Sequence, residues 1–106
     1  MSNAYIIVYI TIPSREVGRQ IAETLLESKL VACVNILPGI ISIYHWQGAV
    51  EQDDELLLIA KTRAALFDRL ATTVKRLHPY DVPEVIAMPI IAGSNEYLAW
   101  IDMETT

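Results

Sequence analysis

One cysteine, two histidines and a run of carboxylates hold most of the chemistry this sequence offers. Cys33 is the only thiol. It can ligate a soft metal such as Cu(I), or pack as a small hydrophobe in a strand. His78 stands just before Pro79, where a helical pattern ends. Either ring nitrogen can bind a divalent cation, and the same imidazole can simply face the helix dipole. His45 lies between Tyr44 and Trp46 near a turn, which suits a packed or surface ring better than a ligand. Glu51, Asp53 and Glu55 share one face of a strand at about 7 Å intervals, with Asp54 opposite. Three such carboxylates can hold a hard cation together with carbonyls and water, or keep a hairpin soluble. No nucleophile is paired with a base, and the four glycines form no phosphate-binding loop. The chemistry to expect is binding without an obligatory cofactor, and not catalysis.

Length and composition bound the rest. A chain of 106 residues suits one domain, residues 1–106. At 53% hydrophobic residues and a mean hydropathy of +0.33, it can fill a core and leave apolar surface over. That surplus points to burial against another copy. Thirteen acids against eight bases give a net charge of −5, which disfavours a nucleic-acid surface. No apolar run approaches the ~18 residues of a membrane span. Residues 1–4 carry no leader pattern, and the single cysteine fits a reducing compartment. The expected location is cytoplasmic, with no membrane or nucleic-acid partner.

These side chains need elements to position them. Residues 5–12 are a nearly continuous β-branched and aromatic run, a central strand buried on both faces. Pro13 stops it, Ser14 can cap a helix, and Val17, Ile21 and Leu25 mark an inward stripe to about residue 28. Residues 31–46 read as one long strand bent at Pro38-Gly39, which places it at a sheet edge. It would reach about 50 Å, against ~20 Å for an ordinary strand. Gln47-Gly48 turns, and residues 49–61 return, acidic first and then solid core at 56–60. Thr62 can cap a second helix with Leu66, Leu70, Val74 and Leu77 inward, ended by His78-Pro79. Residues 85–91 form a fourth strand, an edge because Pro89 cannot donate. Residues 95–103 form a short helix with Tyr97, Leu98 and Ile101 inward.

The order βαββαβ plus a C-terminal helix is the split βαβ, ferredoxin-like α+β pattern, an antiparallel sheet with its helices on one face. Right-handed crossovers put the first and third strands at the centre. A long apolar edge strand invites aggregation unless another chain covers it. A closed ring of subunits does so without leaving an open edge. The expectation is an obligate oligomer joined by strand pairing through residues 31–48.

The chain also resembles the CutA family of divalent-cation tolerance proteins. The resemblance rests on Thr11-Ile12-Pro13, Lys29-Leu30-Val31-Ala32-Cys33-Val34-Asn35, Ile43-Tyr44-His45-Trp46-Gln47-Gly48 and Val50-Glu51 with Asp53 and Glu55. It continues with Lys61-Thr62, His78-Pro79-Tyr80-Asp81-Val82-Pro83-Glu84 and Asn95-Glu96-Tyr97-Leu98-Ala99-Trp100-Ile101. It implies a homotrimer like that of the PII signal proteins and a link to copper and divalent-metal tolerance. Lys61, Tyr80, Glu84, Trp46 and Trp100 would then line a cleft between subunits. Copper-binding bacterial relatives place a cysteine before the Thr-x-Pro segment and a His-His pair before Pro-Tyr. This chain has Ile10 and Leu77 there, so His78 stands alone. A PII-like regulator that takes a small ligand or protein partner in those clefts, and a purely structural trimeric scaffold, are the alternatives.

Overall fold

The computed structural model describes residues 4–106, and residues 1–3, where no leader is expected, lie outside it. The chain runs β1 (Tyr5–Ile12), α1 (Arg15–Glu27), β2 (Cys33–Trp46), β3 (Ala49–Arg63), a 3-10 turn (Ala64–Leu66), α2 (Phe67–Leu77), β4 (Val85–Pro89) and α3 (Asn95–Glu104). The four strands form one antiparallel sheet in the order β2-β3-β1-β4. The two strands that carry prolines, β2 and β4, are therefore the edges, as a missing backbone donor requires.

Strand parity explains where the core sits. Ile6, Val8, Ile10 and Ile12 are buried, and they join Ile21, Leu25, Leu58, Ala60, Leu70 and Val74 in one cluster with α1 and α2. The alternate residues Tyr5, Ile7, Tyr9 and Thr11 face the other side and are only partly covered. The expectation of a strand buried on both faces is corrected: α1 and α2 cover one face, while the other has only α3 at one end. There Tyr5 donates to Asp102 at 2.5 Å, and Arg63 Nε donates to Thr105 Oγ1 at 2.9 Å.

Local chemistry sets most boundaries. Ser14 Oγ accepts the Val17 amide at 3.2 Å and starts α1. Ser94 Oγ does the same for α3, accepting from the Tyr97 amide. Thr62 is not the expected helix cap. β3 stays paired with β1 to Arg63, and the fully buried Thr62 hydroxyl instead donates to the Leu30 carbonyl at 2.6 Å. β4 also stops at Pro89, short of the expected residue 91.

The β2–β3 hairpin carries the main irregularity. Its register shifts between Leu37 and Ile40, where Gly39 takes φ +86°. One extra residue in β2 flips its parity, so that Ile40, Ser42 and Tyr44 share the face of Glu55, Asp53 and Glu51. β1 has no partner for β3 before Leu56. The hairpin beyond that point is a two-stranded ribbon that overhangs the sheet, and the molecule is 44 Å long. Gln47 and Gly48, both at positive φ, close its tip.

Candidate functional site

The ribbon and the 78–84 loop enclose the best-formed concavity among the described residues. It is a groove of about 640 Å3 whose walls include Glu55, Tyr80, Tyr44, Trp46, Asp81 and Glu84. Glu55 is the first β3 residue beyond the β1 pairing, and it sits at the root of the ribbon. It is only 6% exposed, an uncommon place for a carboxylate. The Tyr80 hydroxyl donates to its Oε2 at 2.6 Å.

The end of α2 positions Tyr80. The His78 amide donates to the Val74 carbonyl at 2.8 Å and completes the last turn. Pro79 forces the chain to extended backbone from there. The His78 ring then holds the loop from both sides: Nδ1 accepts the Tyr80 amide at 3.2 Å, and Nε2 donates to the Thr11 carbonyl at 2.8 Å. Those roles specify the neutral tautomer protonated on Nε2. The Tyr80 ring packs 4.5 Å from the imidazole at a tilt of 52°. Burial, and then the bond to Glu55, push the Tyr80 hydroxyl well above the ordinary tyrosine value.

The other two hairpin acids meet a different environment. Glu51, Asp53 and Glu55 do share one strand face, but Glu51 and Asp53 are exposed on the ribbon. Asp53 accepts a hydrogen bond from the Tyr44 hydroxyl, which raises the Tyr44 pKa to about 12. His45 is exposed on the opposite ribbon face, paired with Val50. Among the described residues, no group of three or more His, Cys, Asp or Glu side chains is placed to hold a metal ion.

Cys33 lies at the other end of the sheet. It pairs with Lys61 across the β2–β3 ladder, and Lys61 Nζ donates to Asn35. The Cys33 Sγ lies 3.6 Å from the Tyr97 hydroxyl, which the contact pushes up to about 12. Tyr97 and Trp100 pack at 5.5 Å between ring centres. Within one chain, the five residues expected to line a cleft thus divide into two groups. Trp46, Tyr80 and Glu84 line the groove, while Lys61 and Trp100 belong to the Cys33 end. Ile10 is fully buried in the core, and Leu77 packs against it.

The Tyr80–Glu55, Tyr44–Asp53 and Cys33–Tyr97 contacts did not emerge from the sequence. The first and last join distant segments. Tyr44–Asp53 was within reach, because the Gln47-Gly48 turn sets Tyr44 diagonal to Asp53.

A family described as CutA1 divalent ion tolerance protein matches residues 6–104. The chain is 54% identical over 99 residues to the divalent-cation tolerance protein CutA of Thermus thermophilus, covering 93% of this chain and 96% of that one. It is 52% identical over 100 residues to a chloroplastic CutA protein of Arabidopsis thaliana, and there it spans 94% of its own length but 55% of the plant protein. A solved structure of the Thermus thermophilus protein superposes with a TM-score of 0.94 at 53% identity, covering 96% of this chain and 99% of that one.

Proposed function

The chain belongs to the CutA1 divalent ion tolerance family, and from that premise we propose that it is a cytoplasmic, non-enzymatic homotrimer serving divalent-cation tolerance. The observation that carries this reading is near full-length similarity to a bacterial protein described by that role. Assembly is favoured by the unpaired β2 edge, whose Leu37, Ile41 and Ile43 are more than half exposed. No helix is long and apolar enough to cross a membrane among the described residues.

Metal binding in this reading is weak. Both His78 nitrogens already have partners. The positions where copper-binding relatives offer ligands hold Ile10 and Leu77, which serve the core. What remains for copper is the half-buried Cys33 thiol beside Tyr97 and, at the other end of the sheet, the exposed Glu51 and Asp53 pair on the ribbon, with water completing the shell. Calorimetric titration of tag-free protein with Cu2+ should give heat that saturates only at millimolar metal. Absence of heat there would reject direct binding, and saturation at micromolar metal would reject a weak site.

A second reading, a PII-like regulator with a small ligand in its clefts, is favoured by one observation. The groove contains a buried carboxylate and three aromatic side chains. A thermal-shift screen against small metabolites tests it.

A further inference from the structure

The ribbon joins the body of the molecule at a single level. β1 leaves β3 unpaired before Leu56, and the β2 bulge between Leu37 and Ile40 falls opposite Leu57 and Glu55, at the same height. Gly39 lies in that bulge with open space around its Cβ position. A two-stranded ribbon that begins at a broken ladder bends at that point unless something outside the hairpin holds it. Among the described residues, one hydrogen bond runs from residues 40–55 to a group outside the hairpin: the Tyr80 hydroxyl donates to Glu55 Oε2 at 2.6 Å. The Tyr44–Asp53 bond ties only one ribbon strand to the other.

The Tyr80–Glu55 bond is built to hold. Glu55 is buried, so water competes little for its oxygen, and a carboxylate is a strong acceptor. Tyr80 is in turn fixed to β1. Its amide donates to His78 Nδ1 at 3.2 Å, and His78 Nε2 donates to the Thr11 carbonyl at 2.8 Å. No buried side-chain nitrogen or oxygen among the described residues lacks a partner, so every link from Thr11 through His78 and Tyr80 to Glu55 is occupied.

We propose that this chain of bonds is a brace that sets the angle of the ribbon, and that the angle decides whether subunits close into a ring. The proposal rests on the trimer reading above and adds the residues that control assembly. A head-to-tail ring closes only when every interface turns the next subunit by the same fraction of a circle; a wrong turn continues as an open chain. The ribbon is a long lever, so a small rotation at Glu55 is a large displacement at its tip. An unbraced ribbon samples many angles, and only the fraction at the closing angle pairs productively.

Native mass spectrometry of the full-length protein, with isotope-labelled and unlabelled subunits mixed, reads both the mass and the rate of subunit exchange. The natural sequence should give one trimeric species that exchanges slowly. Tyr80→Phe should speed exchange by about tenfold or more, the factor carried by a hydrogen bond to a charged group, and should add masses above the trimer. His78→Gln keeps a donor for Thr11 but removes the acceptor for the Tyr80 amide. It should act in the same direction, and it carries the test if Tyr80→Phe does not fold. Glu55→Gln retains an acceptor for the Tyr80 hydroxyl and should stay within a few-fold of the natural rate. Tyr80→Phe combined with Glu55→Leu separates positioning from plain stability. With both polar partners gone the thermal midpoint should recover, while exchange stays fast, because an apolar contact has no fixed direction. Unchanged exchange in Tyr80→Phe, or in His78→Gln where the first variant is unfolded, overturns the brace and leaves the trimer reading standing. So does a double variant that regains the natural exchange rate together with the thermal midpoint. A natural chain that is not trimeric rejects the trimer reading, and the brace with it.

Discussion

At the residue scale, the clearest consequence of the structure is alkaline sensitivity centred on Tyr80. Its folded pKa is raised above the unfolded value of 10.0, first by burial and next by the Glu55 hydrogen bond. A neutral acid whose folded pKa is raised stabilises the fold while protonated. That stability is fully present below the unfolded value and is lost as pH rises through the folded one. Tyr44, held at about 12 by Asp53, titrates in the same direction from the exposed ribbon. The thermal midpoint should therefore decline above about pH 10, and Tyr80→Phe should make that decline shallower. At neutral pH the same variant should lose about 1 kcal/mol, because it leaves a buried carboxylate without its donor. Differential scanning calorimetry from pH 7 to 11.5 checks both; an identical slope in Tyr80→Phe would remove Tyr80 from the account. His78 shows what sequence could not give at this scale. Its identity offered a ligand or a dipole partner, and the bracing bonds to the Thr11 carbonyl and the Tyr80 amide appear only in the structure.

At the scale of elements, strong local signals carried through to the structure. Pro13, Ser14 and the Val17, Ile21, Leu25 stripe bound α1 where expected, and Pro38-Gly39 and Pro89 placed β2 and β4 at the edges. Thr62 misled because a threonine before a helical pattern resembles a cap. Here strand pairing and a buried bond to Leu30 outweigh that local preference. The second face of β1 misled for a different reason: an apolar run does not say how many faces its own chain will cover. Gly39 and the Gln47-Gly48 turn were read as bend and turn, and both now have backbone causes. Gly39→Ala forces an L-residue to φ +86° and should cost about 1–2 kcal/mol, although nothing lies near its Cβ. Gln47→Asn should gain a few tenths of a kcal/mol, about the advantage of asparagine at positive φ in such turns. Urea unfolding of the pair measures both. A neutral Gly39→Ala would mean that the bulge relaxes without cost.

At the scale of the whole molecule, the ribbon decides how a single chain becomes something stable. It extends past β1, so Ile41, Ile43 and Val50 are 62–66% exposed with no sheet behind them. An isolated two-stranded hairpin is marginal in water. Keeping this one long and apolar is unfavourable unless another surface covers it. The uncovered sheet face adds to the demand, because Ile86 and Met88 of β4 lie beside Tyr9 and Ile7 with only α3 nearby. A homotrimer joined along β2 would satisfy the edge and the apolar ribbon together, and threefold closure leaves no free edge. In the proposed trimer the ribbon is the assembly device. If the chain assembles as proposed, deleting residues 38–48 should turn a trimer into monomers or aggregate while leaving the core of α1, α2 and β1 intact. Multi-angle light scattering reads the mass, and circular dichroism verifies that the helices remain. A clean trimer from the shortened chain would show that the subunits meet through the open sheet face alone, and that the ribbon's exposed apolar side chains serve some contact other than self-assembly.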